Sequence, residues 1–257
     1  MPVALDLSVV IPAFNERERL PRTLDLLAVA LEHAAGSAEV IVVDDGSTDD
    51  TSAVVERFAG CLAGLRLIRL PANRGKGHAV RTGVLASRGR RVLFCDADGA
   101  TRFEDLERLD AELDAGHDVA IGSRALRAAD TAIERKLVRH VLGRAFHQVV
   151  KRLAVRGIED TQCGFKLFSA RAAQLLFPLQ QLDGFGFDVE ILFLARRAGL
   201  VIREIPITWV YARGSKVNMT SGARAFFDLL AVRWHQLRGT YPPRAEMVGA
   251  LERQSFL

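Results

Sequence analysis

The chain has 257 residues, of which 49% are hydrophobic and 26% are charged, so it is long and apolar enough to bury a substantial core. This composition excludes a disordered chain. The formal net charge is only +4, and basic residues are not interleaved with aromatic ones, so we expect phosphate-bearing partners and no nucleic acid. No run of about 18 apolar residues occurs, so no membrane-spanning segment is predicted.

The N-terminal half alternates continuous apolar runs with segments of helical periodicity. The runs that predict strands are LSVVI at 7–11, EVIVVDD at 39–45, LRLIRL at 65–70 and RRVLFC at 90–95. The segments that predict helices are 17–34, 51–60 and 77–87. Continuous runs are typical of strands buried on both faces, which predicts an α/β fold with a mostly parallel central sheet flanked by helices.

Two amphipathic segments follow in the C-terminal half, at 133–155 and 223–237. Each places apolar residues on one helix face and basic residues beside them. Such helices predict peripheral contact with an anionic membrane, and the alternative is ordinary packing or dimer formation. The residues after Tyr241 are expected to form a weakly ordered tail.

The cysteines and the N-terminus bear on the compartment. Cys61, Cys95 and Cys163 are odd in number and lack the spacing of a metal site, so a reducing cytoplasm is the simplest environment. Asp6 interrupts the N-terminal apolar residues, which argues against a signal peptide. We therefore predict a cytoplasmic protein that works free in solution or on the inner face of a membrane.

Carboxylate pairs follow two of the predicted strands. Asp96 and Asp98 come directly after the run VLFC, where hard oxygen ligands can hold Mg²⁺ or Mn²⁺ against a diphosphate. An isolated Asp-x-Asp also occurs in turns and helix caps. Asp44 and Asp45 close the run EVIVV, at the edge where parallel sheets bind ligands, and capping of the next helix is a compatible role. The first run ends in PAFNE without the Gly-x-Gly-x-x-Gly of dinucleotide-binding folds, which argues against an NAD enzyme.

The motifs VVIPAFNE, VVDDGSTDDT, NRGKGHAVRTG and DADG occur in this order and resemble the inverting glycosyltransferase family 2. DTQCGFKLF at 160–168, GFGFDVE at 184–190 and GSK at 214–216 are similar to its dolichyl-phosphate glucosyltransferase branch, which is related to the dolichyl-phosphate mannose synthases. The resemblance covers roughly residues 7–220. It implies the GT-A type nucleotide-diphospho-sugar transferase fold in a single domain at 1–240, with a nucleotide-binding half at about 1–125, an acceptor-binding half at about 126–240 and a tail at 241–257.

The resemblance also implies roles for individual residues. Those implied to bind the nucleotide sugar are Pro12, Ala13, Glu16, Asp45, Lys76, Asp96 and Asp188. Asp96 and Asp98 are implied to hold the metal, Mg²⁺ or Mn²⁺. The mannose synthases often carry a further ligand, a glutamine, where this chain has Ala100, so water is expected to complete the shell. Asp188 and Glu190 are candidates for sugar hydroxyls or for a helix start.

The acceptor chemistry depends on the attacking oxygen. A phosphate monoester has a second pKa of about 6, so it is largely dianionic at pH 7 and needs no strong base. A hydroxyl acceptor would need one, and Asp160 is the candidate; with a phosphate acceptor Asp160 would orient the sugar. We expect Arg124, Arg139 and Lys216 around an acceptor phosphate. For Arg139 the alternative is a solvated charge run.

The sequence thus predicts an inverting, metal-dependent glycosyltransferase with Asp98, Asp160 and Arg124 as its catalytic residues. It would move a hexose, glucose first, from a UDP-sugar to a polyprenyl phosphate, and GDP-mannose stays open as the donor. Two alternatives remain. One is a soluble family 2 enzyme acting on a small hydroxylated acceptor, and the other is a non-catalytic protein that binds nucleotide sugars.

Overall fold

The structure is a computed structural model that describes residues 5–33, 36–126, 157–210, 228 and 230–254. The strands are β1 Leu5–Ala13, β2 Ala38–Asp44, β3 Leu65–Arg69, β4 Gly89–Cys95, β5 Val119–Ser123, β6 Phe165–Ser169 and β7 Ile202–Pro206. The helices are α1 Leu20–His33, α2 Thr51–Phe58, α3 Lys76–Leu85, α4 Leu106–Asp114, α5 Ala170–Leu176, α6 Phe187–Ala198 and α7 Arg244–Gln254. Short 3₁₀ turns lie at Phe103–Asp105 and Phe177–Leu179, and residues 230–237 are also helical.

The described strands form one sheet in the order β3-β2-β1-β4-β6-β5-β7. Strand β6 runs antiparallel to both of its neighbours, and every other pair is parallel. The predicted α/β class with a mostly parallel sheet is therefore confirmed. The apolar runs are continuous because the central strands are covered on both faces, as the complete burial of Val9, Val10 and Ile11 shows.

Two hydrophobic clusters cover the two faces of the sheet. One cluster contains Leu24 of α1, Val55 of α2 and Leu109 of α4. The other cluster contains residues of α3, α5, α6 and α7. Helices thus pack on both sides, as a parallel sheet requires, and this leaves the carboxyl edge of the strands as the accessible surface for ligands.

The segment after Tyr241 departs from the sequence-based expectation. Instead of a weakly ordered tail, residues up to 254 include helix α7, which contacts α5 and α6. Tyr241 and Met247 are buried in the core, and Leu251 packs against it. Met247 and Leu251 lie four residues apart on one helix face, a stripe too short to stand out in the sequence.

Several predictions fall on residues that the structure does not describe. These are the amphipathic segment at 133–155 with Arg139, most of the first half of the segment at 223–237, and Lys216. Within the described ranges, no helix has both the length and the apolar character needed to cross a membrane. The division into a nucleotide-binding half and an acceptor-binding half stays a prediction.

Candidate active site

The loops after β1 and β2 are joined by hydrogen bonds at the carboxyl edge of the sheet. Ala13, at the end of β1 next to buried Pro12, accepts a hydrogen bond of 2.8 Å from the backbone N–H of Asp45. Asn15 adopts a left-handed conformation with φ 54°, and its side-chain oxygen accepts the N–H of Thr48 at 2.8 Å. The PAFNE and DDGST motifs therefore form one continuous surface at this edge.

Asp45 fixes the backbone of residues 73–75, the loop that precedes α3. Its two carboxylate oxygens accept the backbone N–H groups of Arg74 at 3.0 Å and Gly75 at 2.8 Å. Gly75 has φ +116°, and a Cβ there would lie 2.5 Å from the carbonyl oxygen of Asp183, so only glycine fits. Asp45 does not cap α2, because both of its oxygens bind Arg74 and Gly75; near the start of α2 it is Asp49 that accepts the N–H of Thr51, at 3.0 Å.

Asp96 and Asp98 emerge together at the end of β4. The N–H of Asp96 donates to the carbonyl of Gly164 at 3.0 Å, and a side chain at Gly164 would overlap the Asp96 carboxylate. The Thr23 hydroxyl of α1 donates to the carbonyl of Ala97 at 2.8 Å. The Asp-x-Asp segment is thus fixed from two sides, by α1 and by the turn before β6.

The electrostatics of this pair suit a divalent cation. Burial raises the pKa of Asp98, and the neighbouring Asp96 carboxylate raises it further. A cation between the two carboxylates would relieve this repulsion, and carboxylate oxygens are the ligands that Mg²⁺ and Mn²⁺ prefer. Among the residues that the structure describes, no three His, Cys, Asp or Glu side chains form a metal-binding group. Asp96 and Asp98 would therefore need diphosphate and water oxygens to complete the coordination.

Two basic side chains neutralise the carboxylates. Lys76, the first residue of α3, places its Nζ 2.7 Å from Oδ1 of Asp96. Burial lowers the pKa of Lys76, but the Asp96 and Asp188 carboxylates more than offset this, so its pKa is raised. Arg19 binds both carboxylate oxygens of Glu16 and lies 4.0 Å from Oδ2 of Asp98. Glu16 thus contacts this site through Arg19, a residue that is not among those predicted from the sequence.

Asp188 forms a buried ion pair below the site. Its carboxylate contacts Nζ of Lys166, which also donates to the carbonyl of Cys163 at 2.6 Å. Both side chains are only 2% exposed. Burial raises the pKa of Asp188, while Lys166 and Lys76 oppose the shift. A direct contact of Asp188 with the sugar stays a prediction, because Lys166 already binds this carboxylate.

The Glu190 carboxylate is occupied by donors from the protein itself. It is completely buried and accepts the backbone N–H groups of Gln181 at 2.8 Å and Leu182 at 2.9 Å. The hydroxyl of Tyr241 donates to it at 2.6 Å. These contacts give Glu190 a structural role in the loop between α5 and α6.

Arg124 and Asp160 form a two-pronged ion pair. Nε and Nη2 of Arg124 donate to the two Asp160 oxygens at 2.7 and 2.8 Å, and the Arg124 backbone N–H adds a third bond at 2.9 Å. Burial would raise the pKa of Asp160, but the Arg124 charge and hydrogen bonds outweigh it and lower the pKa. A carboxylate held in this way is a weak proton acceptor.

Arg124, one member of this ion pair, lines the same cavity as the Asp-x-Asp carboxylates. Asp96, Asp98, Arg124, Gly164 and Trp209 all line that cavity. The Arg124 guanidinium lies 5.8 Å from the centre of the Trp209 ring. The structure therefore places Arg124 and Trp209 in one cavity with the two carboxylates, and the predicted contact of Arg124 with an acceptor phosphate stays a prediction.

The sheet with its Asp-x-Asp edge is the architecture of GT-A glycosyltransferases. The Glycosyl transferase family 2 model matches residues 8–177, and the chain belongs to this family. A dolichyl-phosphate beta-glucosyltransferase of Drosophila melanogaster is 43% identical over 230 residues, which cover 84% of this chain and 70% of the relative. The Homo sapiens protein of the same name is 41% identical over 249 residues, covering 91% and 77%.

Solved structures support the fold. The glucosyl-3-phosphoglycerate synthase of Mycobacterium tuberculosis, in complex with Mn²⁺, UDP-glucose and phosphoglyceric acid, has a TM-score of 0.68 at 21% identity. The match covers 89% of this chain and 79% of that structure. The predicted fold, family and enzyme class are thus confirmed.

Proposed function

We propose that this chain transfers glucose from UDP-glucose to a polyprenyl phosphate, with inversion at the anomeric carbon and with Mg²⁺ or Mn²⁺ as its cofactor. The observation that carries the proposal is that Arg124, which is paired with Asp160, lines the same cavity as Asp96 and Asp98. The remaining N–H groups of the Arg124 guanidinium can bind an anionic acceptor, whereas the Asp160 carboxylate, held by Arg124, is a poor base for a hydroxyl. Relatives named dolichyl-phosphate beta-glucosyltransferase, at 36–43% identity, support the same acceptor.

The part of the site that binds the donor is assigned to the carboxyl edge of the sheet. Pro12, Ala13, Glu16 and Asp45 would face the nucleoside, and Lys76 the diphosphate. Asp96 and Asp98 would hold the metal, whose charge stabilises the departing UDP. The acceptor oxygen forms its bond to the anomeric carbon on the face opposite UDP, and the bond to the UDP oxygen breaks with its electron pair.

The part of the site that binds the acceptor is assigned to the surroundings of Arg124. Its Nε and Nη2 bind Asp160, which orients the guanidinium and leaves the remaining N–H groups for a phosphate oxygen. Because a phosphate dianion is already nucleophilic, the lowered pKa of Asp160 does not hinder the reaction. Lys216 is proposed as a further phosphate contact on the resemblance of its GSK motif, and Arg139 on the basic character of the segment at 133–155.

The proposal is tested by nucleotide release from UDP-glucose and from GDP-mannose, with Mg²⁺, Mn²⁺ or EDTA, and with or without a polyprenyl phosphate. We expect UDP release that needs both the cation and the lipid. Turnover with UDP-glucose that is indifferent to the lipid would favour a small hydroxylated acceptor. Absence of any turnover under all conditions would favour a binding protein without catalysis.

Contact with the membrane that carries the acceptor is part of this proposal, at its cytoplasmic face. Leu230, Trp234 and Leu237 lie on one side of the helical residues 230–237 and are 45%, 54% and 82% exposed. The Arg238 guanidinium lies 4.3 Å from the Trp234 ring centre. An apolar strip with adjacent basic charge suits the interface of an anionic bilayer.

The membrane contact predicts that the double variant W234E/L237E loses binding to vesicles containing anionic lipid. Co-sedimentation at low salt measures it, with Val29→Glu as the control, because Val29 is an exposed apolar residue on α1, at 56%. We expect the control to sediment like the unchanged protein. Equal sedimentation of all three proteins would remove the membrane contact from the proposal.

A further inference from the structure

Lys76 forms an ion pair with Asp96, one of the two carboxylates that the proposed function assigns to the metal. Its Nζ is 2.7 Å from Oδ1 of Asp96, so one ligand oxygen already has a cationic partner. Arg19 forms a more distant ion pair with the other carboxylate, at 4.0 Å from Asp98. Lys76 is thus the closer of the two cations to the pair.

The backbone around Lys76 is fixed, whereas its side chain has rotatable bonds. A Cβ at Gly77 would lie 2.6 Å from the carbonyl of Leu182, so the start of α3 packs directly on the loop that precedes α6. The amide of Gln180 donates to the carbonyl of Gly77 at 2.9 Å and secures this contact. Any exchange of the Lys76 partner must therefore come from side-chain rotation.

The surroundings of the Lys76 ammonium group screen its positive charge less than water would. The rings of Phe94 and Phe185 have their centres 5.0 and 5.6 Å from Nζ. The side chain is only 17% exposed. In such a site the effective dielectric constant is well below that of water, and a positive charge repels a divalent cation strongly.

We propose that Lys76 is a resident counter-cation of Asp96 that competes with the divalent cation and is transferred to the nucleotide diphosphate when the donor binds. This inference rests on the proposed function and deepens it, because it couples metal binding to donor binding. Without nucleotide, the cation meets a carboxylate that Lys76 has already neutralised. With nucleotide, the diphosphate oxygens provide a new partner for Lys76 and additional ligands for the metal.

The coupling is tested by titrating Mn²⁺ alone and following free Mn²⁺ by electron paramagnetic resonance. Lys76→Met should bind Mn²⁺ at least about tenfold more tightly than the unchanged protein, because a positive charge beside the site is gone. Arg74→Met is the matched control. It removes the same charge from the same loop, but Arg74 pairs with Asp183, at 3.2 Å. We expect less than about a twofold change for it, because its charge is more exposed and screened.

The second half of the test adds UDP. UDP should raise the Mn²⁺ affinity of the unchanged protein by a larger factor than that of the Lys76→Met variant, whereas Lys76→Arg should behave like the unchanged protein. Lys76→Gln is the second neutral variant, in case Lys76→Met does not fold. Failure of the folded neutral variant to bind Mn²⁺ alone more tightly would overturn the inference about Lys76 only. Absence of Mn²⁺ binding to the unchanged protein even with UDP would overturn both this inference and the metal-dependent function.

Discussion

At the scale of single residues, each carboxylate of the site is paired with a cation from another part of the chain. Asp96 and Asp98 stand directly after an apolar run, so their place at a strand end follows from the local sequence. Arg19 pairs with Asp98, and Lys166 pairs with Asp188; in both pairs the two residues are distant in the sequence. The only local sign of Arg19 is its position three residues after Glu16, at the beginning of a helix.

Asp160 gives a test at the same scale. With a phosphate acceptor, Asp160→Asn should raise the KM for the lipid phosphate by about tenfold, because Arg124 loses the partner that orients it. The shape of the kcat profile between pH 6 and pH 8 should not change. A general base would instead make kcat fall by about 10²–10⁴. Steady-state kinetics with varied lipid phosphate measures both parameters.

Arg124→Lys serves as the companion variant. It keeps the positive charge but loses the fork, so we expect it also to raise the KM for the lipid phosphate. Equal Mn²⁺–UDP binding in all three proteins shows that the donor site is intact. A large fall of kcat at unchanged KM in Asp160→Asn would contradict the phosphate acceptor and favour a hydroxyl.

At the scale of elements, the loop before α6 connects the C-terminal segment to the start of α3. Glu190 holds the N–H groups of Gln181 and Leu182, and the carbonyl of Asp183 accepts the N–H of His78 at 3.1 Å. Tyr241 donates to the same Glu190 from beyond the helical residues 230–237. Tyr241, which directly precedes the residues that the sequence predicts to be a weakly ordered tail, therefore supports the loop that packs against the start of α3.

Tyr241→Phe tests this support. It removes one donor from the buried Glu190, whose pKa is already raised by burial, and leaves the ring volume unchanged. We expect the free energy of unfolding to fall by about 1–3 kcal/mol. Denaturant unfolding of Tyr241→Phe, Glu190→Gln and the double variant gives the coupling between the two side chains. Additive effects of the two changes would show that this hydrogen bond contributes little.

At the scale of the whole molecule, β6 brings the two halves of the chain together. It inserts antiparallel between β4 and β5, although β4, β5 and β7 are parallel to one another. This insertion places Gly164 against Asp96 and puts Lys166 below the site. A strand of five residues, here FKLFS, contains no signal for its direction in the sheet, so this step could not be predicted from the sequence.

Glu39, near the amino end of β2, gives a prediction about how the stability of the fold depends on pH. Burial would raise the pKa of Glu39, but bonds from Ser8, Arg66 and Arg88 lower it from 4.5 to about 2. A depressed carboxyl pKa stabilises the fold above pH 4.5, and this contribution is lost as the pH falls towards 2. We expect the loss to be roughly 2–3 kcal/mol, reduced by the exposure of the arginines.

Thermal or denaturant unfolding between pH 5 and pH 2 measures this contribution. Glu39→Gln should be less stable at pH 5 and should lose less stability on acidification than the unchanged protein. Glu56→Gln is the control, because Glu56 forms an exposed pair with Arg69, with side chains 59% and 55% exposed. We expect its pH dependence to run parallel to that of the unchanged protein. Parallel curves for Glu39→Gln as well would contradict the assignment.

The sequence by itself determined the class of fold, the family and the Asp-x-Asp edge, because continuous apolar runs and strand-end motifs are local patterns. Only the tertiary structure decided that Asp160 is held by Arg124, that Asp188 is buried with Lys166, and that Lys76 rests on Asp96. The charge and proton affinity of each group depend on side chains that are distant in the chain and come together only when the sheet is assembled.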